Sequence, residues 1–206
     1  MAQESSSKIR IKISSKKILA ILVILAIVPS VYLIVKYLWP INTWIYEGNT
    51  VGFRINLREA QKVPIVTNFI GKDPDFFVRD ALVRDDVENI TFLFKPSDDT
   101  NNSLYIVEET EIIKSLTLAY LYTTELQTIP HFDAQVVDSY SNITASQLNP
   151  KIVLVHPNYS NATLVKQDGY IIYVQGKNTN TFDSDKIQFD LATVRLMMAI
   201  LKIKVQ

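Results

Sequence analysis

A single membrane-spanning helix followed by a layered α/β domain with a mixed, mostly parallel sheet is the architecture the sequence predicts. Three observations predict it. Residues 18–39 (ILAILVILAIVPSVYLIVKYLW) form one apolar run whose only charge is Lys36. Behind that run, short β-branched and aromatic stretches alternate with amphipathic stretches of helical period. The roughly 165 residues that follow are long enough for one buried core, and without cysteine that core holds by packing alone.

The apolar run sets the organisation. Its 22 residues cover about 33 Å as a helix, against a hydrocarbon thickness of about 30 Å. Pro29 is tolerated as a kink, Lys36 snorkels to the interface, and Tyr32, Tyr37, Trp39 and Trp44 supply an aromatic belt toward the exit. Lys8, Arg10, Lys12, Lys16 and Lys17 precede it, opposed by Glu4 alone. The positive-inside rule then puts the N-terminus in the cytoplasm and the domain outside. The apolar run continues past Pro29-Ser30 with no small-x-small site after it, so an uncleaved signal-anchor is expected rather than a removed signal peptide. The expected organisation is a basic cytoplasmic tail at 1–17, the anchor at 18–39, a stalk at 40–49 and an extracytoplasmic domain at 50–206. The tail's charges suit anionic lipid.

Fifteen basic and twenty acidic side chains follow residue 39, so the outer domain is near −5. That balance argues against a nucleic-acid partner. Five N-x-Ser/Thr sequons stand at Asn89, Asn101, Asn142, Asn158 and Asn161, where composition alone gives roughly two. All five fall at expected loops or element ends. With the anchor and the missing cysteine, they predict a glycosylated, archaeal-like cell surface.

In chain order, residues 50–56 alternate as a half-buried strand, 57–62 turn briefly helical, and 64–67 form a short strand that Pro64 confines to an edge. Asp73-Pro74-Asp75 starts a helix over 76–83. Residues 90–95 (ITFLFK) are a strand, 96–102 a polar loop, and Ser103 opens a long helix ending near Tyr122, with Ile112, Ile113, Leu116, Ala119 and Tyr120 on its apolar stripe. Residues 132–138 are a strand and 139–149 a loop. Residues 152–156 (IVLVH) are a continuous apolar strand buried on both faces and stopped by Pro157. Residues 161–166 are expected as a helical turn or two and 170–175 as a strand released by Gly176. Residues 177–186 are expected as a loop, and 191–203 as a final helix capped by Asp190. The stretches 90–122 and 171–202 share the layout strand, polar loop, helix.

Candidate chemistry is sparse. His156 ends a buried strand, and in open α/β sheets ligands bind beyond that edge. With Asn158 and Asn161 it forms the candidate ligand site. His131 and Asp133 flank another strand and pair a histidine with a carboxylate, but neither histidine has a metal-ligand spacing. Glu108, Glu109 and Glu111 lie early in the long helix, where carboxylates offset the macrodipole. The residues Asp98-Asp99 match a calcium loop only in oxygen content. There is no G-x-G-x-x-G, P-loop, G-x-S-x-G or zinc pattern, and no cofactor is implied.

Residues 152–203 run strand, Pro157, Asn158, Asn161, Val165, strand, Gly176 and then Asp190-Leu-Ala-Thr into a helix. This order resembles the Asn-containing βα segments of archaeal S-layer proteins. There the strand ends in Gly-Gly-Pro, where Val155-His156-Pro157 stands here. The resemblance covers about a quarter of the chain and implies an envelope or surface-assembly role. The functional expectation is therefore a non-enzymatic binding or assembly module for a protein or glycan of the cell surface. The competing expectation is a small-ligand receptor or hydrolase-type enzyme with its site at the His156 edge.

Overall fold

The computed structural model describes residues 23, 25–33, 41–71, 73–96, 103–123 and 128–205. The chain divides into two compact units, Met1–Pro40 and Ile41–Gln206. In the first, residues 25–33 are helical, with the Ser30 hydroxyl donating to the Ala26 carbonyl at 2.7 Å. Among the described residues no helix is long and apolar enough to cross a membrane. The basic tail at 1–17, most of the expected anchor at 18–39, Asp98, Asp99 and the sequon at Asn101 lie outside the described residues.

The second unit is an α/β domain built on a mixed, mostly parallel six-stranded sheet. It opens with a hairpin where a stalk was expected. Strands β1 (Thr43–Tyr46) and β2 (Asn49–Gly52) pair antiparallel around Glu47 and Gly48. Both of those residues have positive φ, the backbone a two-residue turn requires. Trp44, Tyr46 and Val51 pack against the core, which is why the segment folds back instead of leading away. Asn56 then caps α1 (Leu57–Gln61), its side chain accepting from the Arg58 amide at 2.9 Å. Pro64 leads into the three-residue β3 (Ile65–Thr67). Asp73 caps α2 (Pro74–Leu82), which carries proline in its first turn.

The central elements are β4 (Asn89–Phe94), α3 (Ser103–Tyr122), β5 (His131–Val136) and β6 (Lys151–Val155). A 3₁₀ turn, Pro157–Tyr159, follows β6. Then come β7 (Leu164–Asp168), β8 (Ile171–Gln175) and α4 (Phe182–Ile200). The sheet order is β3-β7-β8-β6-β4-β5, and only the β7/β8 hairpin is antiparallel. The edge position expected for the Pro64 strand is the one β3 takes.

Side-chain alternation sorts the sheet into two unequal faces. Ile90, Phe92, Ile152, Leu154, Ile172 and Val174 meet the helices in the main core. Leu93, Val153 and Val155 point the other way, under Val137, Tyr140 and Ile143 of the loop after β5. Tyr140 fastens that loop by donating to the Leu154 carbonyl at 2.9 Å. So β6 is buried on both faces, but by helices on one side and by a loop on the other.

Two expected elements differ. Residues 161–166 do not turn helically; from Leu164 they enter β7. Its alternation was hidden because Gln167 takes a buried position, donating to the carbonyls of Phe77 at 3.2 Å and Gly169 at 3.1 Å. The last helix begins at Phe182, eight residues before Asp190, which is an interior residue of α4 and only 4% exposed. The first turns of α4 read as loop because Phe182, Asp183, Lys186 and Ile187 face solvent. Gly176 is the point where β8 meets α4. A Cβ there would stand 2.6 Å from the Phe189 amide nitrogen, so only glycine permits the approach.

Candidate functional site

The C-terminal ends of β6 and β8 point the same way, since the two strands are parallel. Beyond them lies a cleft of ≈ 470 Å³ lined by Leu104, His156, Asn158, Asn178, Asn180, Thr181, Phe182 and Asp185. These residues come from the turn after β6, the loop after β8 and the first turns of α3 and α4. This is the edge where parallel sheets receive ligands. The structure brings His156 and Asn158 together here. Asn161 is exposed and is not part of the lining.

His156 is buried, and its Nδ1 accepts from the Asn158 amide at 3.2 Å. That bond assigns the ring proton to Nε2 in the neutral form. The ring sits 5.7 Å from Tyr105 and 6.5 Å from Tyr159, centroid to centroid. Tyr105 donates to the Lys95 carbonyl at 2.6 Å, and burial pushes its phenol well above the usual range. It packs and anchors; it does not exchange a proton near neutrality.

The loop between β8 and α4 is held by its own side chains. Asp185 Oδ1 accepts from the Thr179 amide and from the Thr179 hydroxyl at 2.7 Å. Asn178 Oδ1 accepts from the Asn180 amide at 2.8 Å, an Asx turn that lets Asn180 take a positive φ. The Asn178 amide donates to the Ser160 carbonyl at 3.0 Å, tying this loop to the turn after β6. The cleft is therefore a preformed pocket of three carboxamides, a histidine, a hydroxyl, the Asp185 carboxylate, Leu104 and the half-exposed ring of Phe182. Among the described residues no lysine or arginine lines it, a lining that does not favour a phosphate or other anion.

The other candidates fall elsewhere. His131 Nε2 pairs with Asp133 Oδ1 at 3.0 Å, exposed on β5 at the opposite end of the sheet from His156. Glu111 pairs with Lys114 on the surface at 3.0 Å. Glu108 is fully buried and meets Arg54 at 3.0 Å. Among the described residues no group of three acidic or histidine side chains could hold a metal ion.

Sequence reading missed Asn178, Asn180 and Phe182, because the polar run 177–186 read as loop alone. The available signal was Asn178-Thr-Asn180, which offers Asx-turn chemistry just past a strand-ending glycine. Two more open depressions, of ≈ 500 and ≈ 650 Å³, flank the hairpin and lie away from this strand edge. No protein-family model, no curated protein and no solved structure matches this chain.

Proposed function

We propose that the chain is a single-pass, signal-anchored envelope protein with Ile41–Gln206 on the outer face, working as a non-enzymatic binding module. Its ligand is a neutral, hydroxyl-rich group, such as a glycan of another surface component, received in the cleft at His156. The lining carries this reading. Carboxamides donate to and accept from hydroxyls, an exposed aromatic ring covers the apolar face of a sugar, and the one lining carboxylate among the described residues, Asp185, is already engaged by Thr179. The apolar run at 18–39, the basic residues before it and the sequons after it support the outward location. The S-layer-like order of residues 152–203 points the same way.

Two experiments test the reading on the full chain. For location, Ser146→Cys introduces a single thiol in an exposed loop of a cysteine-free protein. A membrane-impermeant maleimide added to intact cells should label it; labelling only after lysis would place the domain inside. For binding, the protein in nanodiscs is screened on immobilised glycans. Phe182→Ala and Asn178→Ala should each weaken a positive signal about tenfold. Binding indifferent to both substitutions would overturn the cleft as the binding site, and release of free sugar from the glycans would overturn the non-enzymatic reading.

A further inference from the structure

The sheet has two edges, and they are unlike. The β3 edge is blunt: three residues behind a proline. The β5 edge is six residues long, His131–Val136, with no proline, lysine, glycine or bulge to guard it. The amides of His131 and Val137 donate inward to the Glu88 and Phe94 carbonyls of the β4 side, each at 2.9 Å. The two-residue period of a parallel ladder then turns Asp133 and Gln135 inward as well. Phe132, Ala134 and Val136 direct their N–H and C=O groups outward. Among the described residues nothing pairs with them, and Ala134, Gln135 and Val136 are exposed.

We propose that a second copy of this chain occupies that edge, pairing antiparallel through β5 about a two-fold axis at Ala134. The register sets Ala134 opposite Ala134, Phe132 opposite Val136, and Asp133 opposite Gln135. It satisfies the outward groups with about six backbone hydrogen bonds. The side chains agree with it. Phe132 packs on the helix side of the sheet, so Ala134 and Val136 share that face. Phe132 then covers the partner's Val136, which is 60% exposed in the single chain. Two alanines meet on the axis without crowding. On the other face each Asp133 carboxylate meets a carboxamide.

The neighbouring two-fold registers are worse. Centring on residue 133 opposes two carboxylates, which is destabilising in a cross-strand pair. Centring on residue 135 sets Phe132 against Asp138. The inference is independent of what the cleft binds.

The test uses the full-length protein in nanodiscs and in native membranes. Because the chain has no cysteine, Ala134→Cys creates one thiol per copy, placed on the axis at about 5.5 Å between Cα atoms, within disulfide reach. Mild oxidation should convert it to a covalent dimer, while Ser146→Cys stays monomeric. Ala134→Pro removes an N–H that points outward, so thermal unfolding should stay close to wild type while the dimer weakens at least about tenfold, measured by mass photometry. A monomeric wild type, an Ala134→Cys yield no higher than the Ser146→Cys control, or cross-linking favoured at Gln135→Cys instead would overturn the pairing or its register. Should Ala134→Pro unfold, the cysteine comparison decides alone.

Discussion

Glu108 and Asp190 face one another across the packed helices α3 and α4, and a single guanidinium reaches both. Arg54 lies 3.0 Å from Glu108 Oε1 and 3.1 Å from Asp190 Oδ1. Both carboxyls are buried, so two acids share one cation in a low-dielectric interior. Desolvation, then the hydrogen bond and charge of Asp190, push the Glu108 carboxyl up to about 8. Burial beside a second carboxyl thus favours the neutral, protonated form of Glu108.

The sign of the pH dependence follows. Glu108 loses its proton near 4.5 when unfolded, so between about 4.5 and 8 the native state binds more protons than the unfolded one. Stability therefore falls as pH rises through that window and levels off above it. Glu108→Gln carries the donor permanently and should flatten the slope, making the variant the more stable protein at pH 8. Urea unfolding at pH 5, 6.5 and 8 checks this, with the difference between the two proteins isolating residue 108. Parallel pH profiles would show that Glu108 is ionised throughout.

Gly176 supports a second prediction. An alanine Cβ would press on the backbone of α4, 2.6 Å from the Phe189 nitrogen and 2.8 Å from its Cα. Backbone on a long helix cannot turn aside as a side-chain tip can. Gly176→Ala should lower Tm by roughly 5–10 °C and disturb the cleft, since α4 carries Phe182 and Asp185. An unchanged Tm would mean that α4 sits farther from β8.

The sheet was legible because its strands are written in residues that suit a pleated, buried surface: ITFLF, KIVLV and IIYVQ. What hid the rest was polarity in unexpected places. Gln167 fills a core position of β7, so that strand lost its alternation. Polar residues at the solvent-facing start of α4 disguised two helical turns. Glu108 shows the same effect in reverse. It lies four residues from Leu104 and from Ile112, on the buried stripe of α3, a spacing that marked it as interior. Its partner Asp190 is 82 residues later, and no local pattern joins them. The cleft was half visible for a similar reason: His156 is announced by its strand, whereas Asn178 and Asn180 arrive from a separate loop.

The pair Arg195 and Asp75 joins α4 to the first turn of α2. Both guanidinium nitrogens engage the two carboxylate oxygens, and Nε donates to the Val63 carbonyl at 3.1 Å. Both side chains are largely buried. Lysine keeps the charge but not the fork. Arg195→Lys should destabilise by about 1–3 kcal/mol. In a double-mutant cycle with Asp75→Asn, measured by chemical unfolding, the coupling should exceed about 1 kcal/mol. A coupling near zero would assign the effect of Arg195 to its contact with Val63 alone.

The sequons differ in what their nitrogens already do. Asn89 Nδ2, the atom a glycan would occupy, donates to Asp133 at 3.1 Å and to Thr91 at 3.4 Å, at the start of a core strand. Asn142 is exposed in the loop after β5 with a positive φ, and Asn161 is exposed between the 3₁₀ turn and β7. On the full chain exported by an N-glycosylating host, glycopeptide mass spectrometry should find sugar on Asn142 and Asn161 and none on Asn89. Asn158 is exposed at the rim of the cleft, so a glycan there would stand in the entrance, and Asn158→Gln should then increase ligand binding. A glycan on Asn89 with Asn142 bare would mean that modification precedes closure of the β4–β5 edge, and that exposure in the folded domain does not select the acceptor.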